Sequence, residues 1–136
     1  MRKRNALLQA LLLLKDLDGR ISVNEIIAFL YTCENEGLNV QELAFVASLS
    51  QTTASRSARA LGPRGLAWSL APELDLVHPS LNPSDGRSHI LHLTARGREV
   101  RDRIDKIIRE GVTISAGAAD EPSRQDREVF PNMTIE

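Results

Sequence analysis

Asn82-Pro-Ser-Asp-Gly-Arg-Ser-His-Ile-Leu-His-Leu-Thr-Ala-Arg-Gly97 is the stretch on which the reading of this chain turns. Its centre, Pro83, Ser84, Asp85 and Gly86, consists of turn formers. Arg87 follows, then a short alternating run to Leu93, and Thr94 opens a helix. Residues 75–81 and 87–93 read as the two strands of a β-hairpin with an arginine at its exposed tip. A cation held on a narrow arm suits a narrow, negatively charged groove.

Working outward, a second element lies upstream, at residues 41–61. Val40 to Ala47 and Gln51 to Leu61 read as two short helices, with Ser50 as N-cap of the second. A link of about three residues forces such helices to cross steeply and closely. Ala44 supplies the small contact, Leu49 plugs the turn, and Ala54, Ala58 and Leu61 face inward at helical spacing. The opposite face then carries Gln51, Thr52, Thr53, Ser55, Arg56 and Arg59. Gln, Thr and Ser can bond base edges, and Arg takes guanine or phosphate. Ser48 stands in the turn where many helix-turn-helix motifs have glycine, at a left-handed cost of roughly 1–2 kcal/mol.

Two further helices flank this pair. Residues 4–18 carry an apolar stripe of Leu7, Leu8, Leu11, Leu12 and Leu14. Ser22 and Glu25 form a capping box for a helix running to about Glu36, with Ile26, Phe29, Leu30 and Cys33 on one face and Gly37 suited to the left-handed closing residue. Gly62-Pro-Arg-Gly65 stops the fourth helix. Residues 66–74 are ambiguous: Leu66, Trp68 and Leu70 fit a short strand that Ala71-Pro72 interrupts. The last helix carries Val100, Ile104, Ile107 and Ile108 at apolar spacing. From Gly111 to residue 136, small residues and scattered charges predict a disordered tail, leaving one domain over residues 1–110.

The order helix-turn-helix, hairpin, Asp85-Gly86-Arg87, then Leu93-Thr94-Ala95-Arg96-Gly97 resembles the MarR family of transcriptional regulators over roughly residues 20–110. The short ends resemble small phage- or plasmid-type relatives. The resemblance implies a mainly α fold with a small β-hairpin wing (α+β), a winged helix-turn-helix whose terminal helices form a dimer interface. It implies that Arg87 enters the minor groove, with Asp85 orienting it or tightening the turn and Ser84 beside it at the tip. The recognition helix, from Ser50 to Arg59, would read the adjacent major groove, and Arg64 would contact phosphate. Leu7, Leu8, Leu11, Leu12, Ile104, Ile107 and Ile108 would meet a second copy, so that two half-sites of double-stranded DNA are read together. Most relatives repress by occluding a promoter, which makes repression the default. Two features depart from the family pattern. An insertion holding Trp68 and Pro72 separates Gly65 from Leu76-Val77, and His78-Pro79-Ser80 replaces the usual basic residues of the first wing strand.

Composition narrows the alternatives. A formal net charge of −1 argues nothing for nucleic acid, but residues 111–136 hold two arginines against five acids, leaving the rest at +2. Local patches must therefore do any phosphate binding. The single cysteine excludes an internal disulfide. The leucine-rich start is broken by Gln9 and lacks a cleavage site, so a cytoplasmic location with no membrane association is expected. His89 and His92 differ by three and point to opposite strand faces, which disfavours a metal site. Cys33 fits an inert core thiol better than a redox sensor. Neither enzymatic motif nor cofactor is expected, and no convergent polar cluster identifies a small-molecule effector. The competing reading is a winged-helix protein-docking module without DNA contact, which would need a more apolar face on residues 51–59.

Overall fold

The structure, a computed structural model, describes the backbone of residues 2–117 and their side chains except at 2–3, 85–87 and 111–117. The elements are α1 (Arg2–Leu17), α2 (Val23–Glu34), α3 (Val40–Ala47), α4 (Gln51–Ala60), β1 (Val77–Asn82), β2 (Asp85–Leu93) and α5 (Ala95–Gly117). No helix among the described residues is long and apolar enough to cross a membrane.

Local chemistry sets most of the boundaries. Ser22 and Glu25 form the expected capping box at α2, and Asn39 and Glu42 form a second one at α3. Each box satisfies two backbone N–H groups that a helix start leaves without partners. Ser48 closes α3 in the left-handed conformation (φ 55°), so serine occupies the position where glycine is less strained. Its neighbour Leu49 packs against the core, plugging the turn. In α2 the buried residues are Ala28, Phe29 and Thr32, whereas Leu30, expected inside, is exposed. The helix turns its inner face slightly further than the Ile26–Cys33 stripe suggests, and the Thr32 hydroxyl is satisfied by Ala28 O at 2.8 Å.

The core lies where α2, α3 and α4 meet the base of the hairpin, and Phe29, Leu43, Leu61, Leu76, Leu91 and Leu93 are fully enclosed there. The hairpin is antiparallel, and β2 also meets the segment before α3 on its other edge. Gly37 N–H donates to Leu91 O at 2.7 Å and Leu91 N–H to Leu38 O at 2.9 Å. Both strands differ from the expected limits. β1 starts at Val77 rather than residue 75 because the N–H groups of residues 74–77 bond carbonyls of residues 60–62 at the end of α4. β2 starts at Asp85, two residues ahead of the expected 87. The register pairs Leu81 with His89 but Asn82 with Asp85, so β2 carries three extra residues, 86–88, near the tip. Residues 66–74 form turns, not a strand.

The terminal helices pack on each other within the chain. Ala10 and Leu14 of α1 and Val100 and Ile104 of α5 join the common core. Ile104, expected at a dimer interface, is only 6% exposed, and this corrects its assignment: a side chain enclosed by its own chain has no surface to offer another. Leu7, Leu8, Leu11, Leu12 and Ile108 remain exposed, between 41% and 60%, while Ile107 is half-buried. The α5 backbone continues to Gly117, past the expected end at residue 110, and residues 118–136 lie outside the described residues.

Gly97 explains itself in this frame. Thr94 Oγ accepts from Gly97 N–H at 2.9 Å and donates to Asp75 O at 2.8 Å, drawing the first turn of α5 onto the strand entry. A Cβ at position 97 would collide with the carbonyl of Leu76. Alanine normally stabilises a helix interior by about 1 kcal/mol over glycine. Here the sign reverses: Gly97→Ala is expected to destabilise the fold by about 1–3 kcal/mol through overpacking against backbone. Urea unfolding followed by circular dichroism checks this, and an unchanged or raised midpoint would contradict the close contact.

Candidate nucleic-acid interface

Helix α4 presents its outer face as the spacing requires, because Ala54, Ala58 and the following Leu61 are buried beneath it. Gln51, Thr52 and Arg56 are exposed, and Thr53, Ser55 and Arg59 are half-buried. Ser50 caps the helix by accepting from Thr53 N–H at 3.0 Å, and its hydroxyl lies 3.0 Å from Thr53 Oγ1. Ser50 and Thr53 are therefore already bonded to each other. Among the described residues, no hydrogen bond or ion pair holds the side chains of Gln51, Thr52, Ser55 and Arg56.

Beside this face runs a groove of about 600 Å³. α4 contributes Gln51, Thr52, Ser55, Arg56 and Arg59; the start of α3 adds Val40 and Gln41; β2 adds Ser88 and His89; the insertion adds Trp68 and Leu70. Two arginines and several neutral donors line it, and none of the described residues that line it is acidic. A concavity with this lining attracts anions. Arg59 is oriented within it, since its Nε donates to Trp68 O at 2.7 Å. The Trp68 ring in turn packs on His89, with centroids 5.8 Å apart and planes tilted by 44°.

The remaining expected contacts scatter. Arg64 is exposed beyond α4 and does not line the groove. It lies near Asp18, whose carboxyl is held down at about 2, first by hydrogen bonds from Arg20 and last by the charge of Arg64. At the wing tip, Asn82 Oδ1 accepts from Ser84 N–H at 2.9 Å, so Asn82 tightens the turn. Ser84 is exposed there. The side chains of Asp85 and Arg87 lie outside the described residues, though their backbone places them in β2 beside the tip. Gln41, Trp68, Ser88 and His89 were not expected in the site. Only Trp68 carried a signal, as the single tryptophan of a chain with 4% aromatic residues, set in an insertion.

No protein-family model matches the sequence, and no curated protein matches it either. Solved structures do. The chain is similar to the protein RV1404 from Mycobacterium tuberculosis, with a TM-score of 0.64 and 16% identity, covering 96% of this chain and 83% of that one. It is similar to a transcriptional regulator from Thermotoga maritima, with a TM-score of 0.59, 13% identity, and coverage of 95% and 84%. A MarR transcriptional regulator from Methanosarcina mazei gives a TM-score of 0.54 at 19% identity, covering 83% and 73%. The shared feature is the fold, a MarR-like winged helix-turn-helix of class α+β.

Other chemistry is sparse among the described residues, where no group of three or more His, Cys, Asp or Glu is placed to hold a metal ion. His89 and His92 do face apart: His92 stacks on His78 at 5.3 Å, with Nε2 3.2 Å from Ser80 Oγ and Nδ1 3.8 Å from Glu36. Cys33 packs against the core, and burial pushes its thiol up to about 12, with Arg101 opposing more weakly. The reactive thiolate is scarce at neutral pH. Alkylation of the native protein by iodoacetamide at neutral pH is expected to be at least about a hundredfold slower than in the urea-unfolded chain, and still accelerating near the upper end of the pH range. Comparable native and unfolded rates would contradict an inert core thiol.

Proposed function

We propose that this protein is a sequence-specific double-stranded DNA-binding transcriptional regulator that acts as a homodimer and represses by occluding a promoter. The observation that carries the reading is the α4 face and its adjoining groove, which combine short polar side chains with Arg56 and Arg59 and include no acid among the described residues. α4 lies in the major groove, where Gln51, Thr52, Ser55 and Arg56 discriminate bases. Arg87, at the hairpin end, enters the flanking minor groove with Asp85 as its support and Ser84 at the backbone. Arg64 contributes a more distant phosphate contact at most, given its position beside Asp18.

The homodimer rests on the face of α1. Leu7, Leu8, Leu11 and Leu12, with Ile108 of α5, form an apolar stripe that the described residues leave exposed. A patch of that kind marks an association surface. Pairing through it would set two reading helices on half-sites about one helical turn, roughly 34–36 Å, apart. A docking module without DNA contact would present apolar residues on the outer face of α4, and the exposed residues there are Gln51, Thr52 and Arg56.

Two measurements test this. Selection of bound duplexes from a random pool is expected to return a two-fold symmetric site, and no enrichment at low salt would rule against the reading. With the selected duplex, Arg87→Ala is expected to weaken binding by about 1–3 kcal/mol. Affinity equal to wild type over a range of salt concentrations would remove the wing from the interface.

A further inference from the structure

The insertion between α4 and β1 is built into the molecule by hydrogen bonds. Leu70 N–H donates to Arg59 O, Leu74 N–H to Ala60 O, Leu76 N–H to Leu61 O and Asp75 N–H to Gly62 O, each at 2.9 Å. The last carbonyls of a helix have no partners within it, so this segment completes the bonding that the end of α4 leaves open. Trp68 extends from that anchored segment across the groove. Its carbonyl holds Arg59 Nε at 2.7 Å, and its ring lies against His89 of β2. One residue thus ties the last turn of α4 to the wing.

Holding Nε leaves the two terminal nitrogens of the Arg59 fork as donors for a ligand. No carboxylate forms an ion pair with Arg59 among the described residues. A preoriented guanidinium in a groove whose described lining holds no acid is a receptor for a phosphate-type anion. We infer that Trp68 is a positioning residue for Arg59, and that the groove it walls holds the sugar–phosphate strand of DNA, with Arg59 on one phosphate. The inference rests on the DNA-binding reading above and adds the passage of the strand. If α4 occupies the major groove and the hairpin tip the adjacent minor groove, one backbone strand must run between them. The concavity between α4 and β2 lies on that path. Arg59, on the last turn of α4, sits beside this strand, while Gln51 and Thr52 at the first turn reach the bases.

The chain's single tryptophan makes the test direct. A fluorescein-labelled random-sequence duplex of about 30 base pairs, titrated by anisotropy at several salt concentrations, gives affinity and salt slope together. Arg59→Ala is expected to reduce the slope of log K against log salt by about 0.9, the value for one phosphate. Trp68→Ala, which changes no charge but removes the ring contact with His89 that fixes the segment carrying the Arg59-bound carbonyl, is expected to reduce it by a similar amount, and the double variant by no more than either single one. Trp68→Phe, which keeps a ring against His89, should restore most of the slope. In the wild-type protein, saturating duplex is expected to lower acrylamide quenching of Trp68 at least about twofold, a readout that no folding defect of a variant can affect. A wild-type slope in the Trp68→Ala protein, or quenching unchanged by bound duplex, overturns the inference and leaves DNA binding standing. Absence of any anisotropy rise with the wild-type protein at low salt overturns the DNA reading and this inference with it.

Discussion

The end of α4 is the constraint on which the rest of the site depends. A helix of ten residues leaves several terminal carbonyls open, and burying them without partners would be costly. Here backbone N–H groups from residues 70–77 take the carbonyls of residues 59–62. The same bonds fix where β1 can begin, and therefore where the hairpin leaves the body. Thr94 and Gly97 then tie the hairpin's exit to its entry, through Asp75 O and the close approach to Leu76. The helix face and the hairpin are thereby held in one geometry instead of hanging from a loop.

That geometry concentrates a modest charge. With a formal net charge of −1, the chain has no general attraction for polyanions. The groove nevertheless gathers Arg56 and Arg59 beside neutral donors, with no acid among the described residues of its lining. The first wing strand carries no basic residue, and residues His78, Pro79 and Ser80 lie along it. The cationic character on this side comes instead from α4, with the insertion orienting one of its arginines.

The terminal helices divide their apolar residues between two uses. Ala10, Leu14, Val100 and Ile104 complete the chain's own core. Leu7, Leu8, Leu11 and Leu12 stay exposed, with Leu8 and Leu12 on another side of α1. Six leucines between residues 7 and 14 are more than one helix–helix seam can cover, because successive residues turn by about 100° and spread around the helix. Rotation accounts for part of the sorting: residues 10 and 14 share a face, and residues 8 and 12 share another.

Much of this was legible in residues alone, and for local reasons. The Ser22–Glu25 box, the Ser50 cap, the Leu49 plug and the turn at Pro83 and Ser84 act over a few positions, so spacing alone identifies them. The polar outer face of α4 followed from its buried alanines. Contacts between distant segments were not legible. No periodicity links Trp68 to Arg59 and His89, nine and twenty-one positions away, or shows that Ile104 would turn inward. The insertion read as an interruption because its bonds go to the end of a helix and not to a neighbouring strand. Sequence by itself determined the helices, the hairpin and the chemical character of the outer face of α4, since these rest on local hydrogen bonding and periodic burial. Only the tertiary structure decided which arginine is held in place, which apolar residues stay outside, and that the insertion walls the groove, because those outcomes depend on packing across the chain.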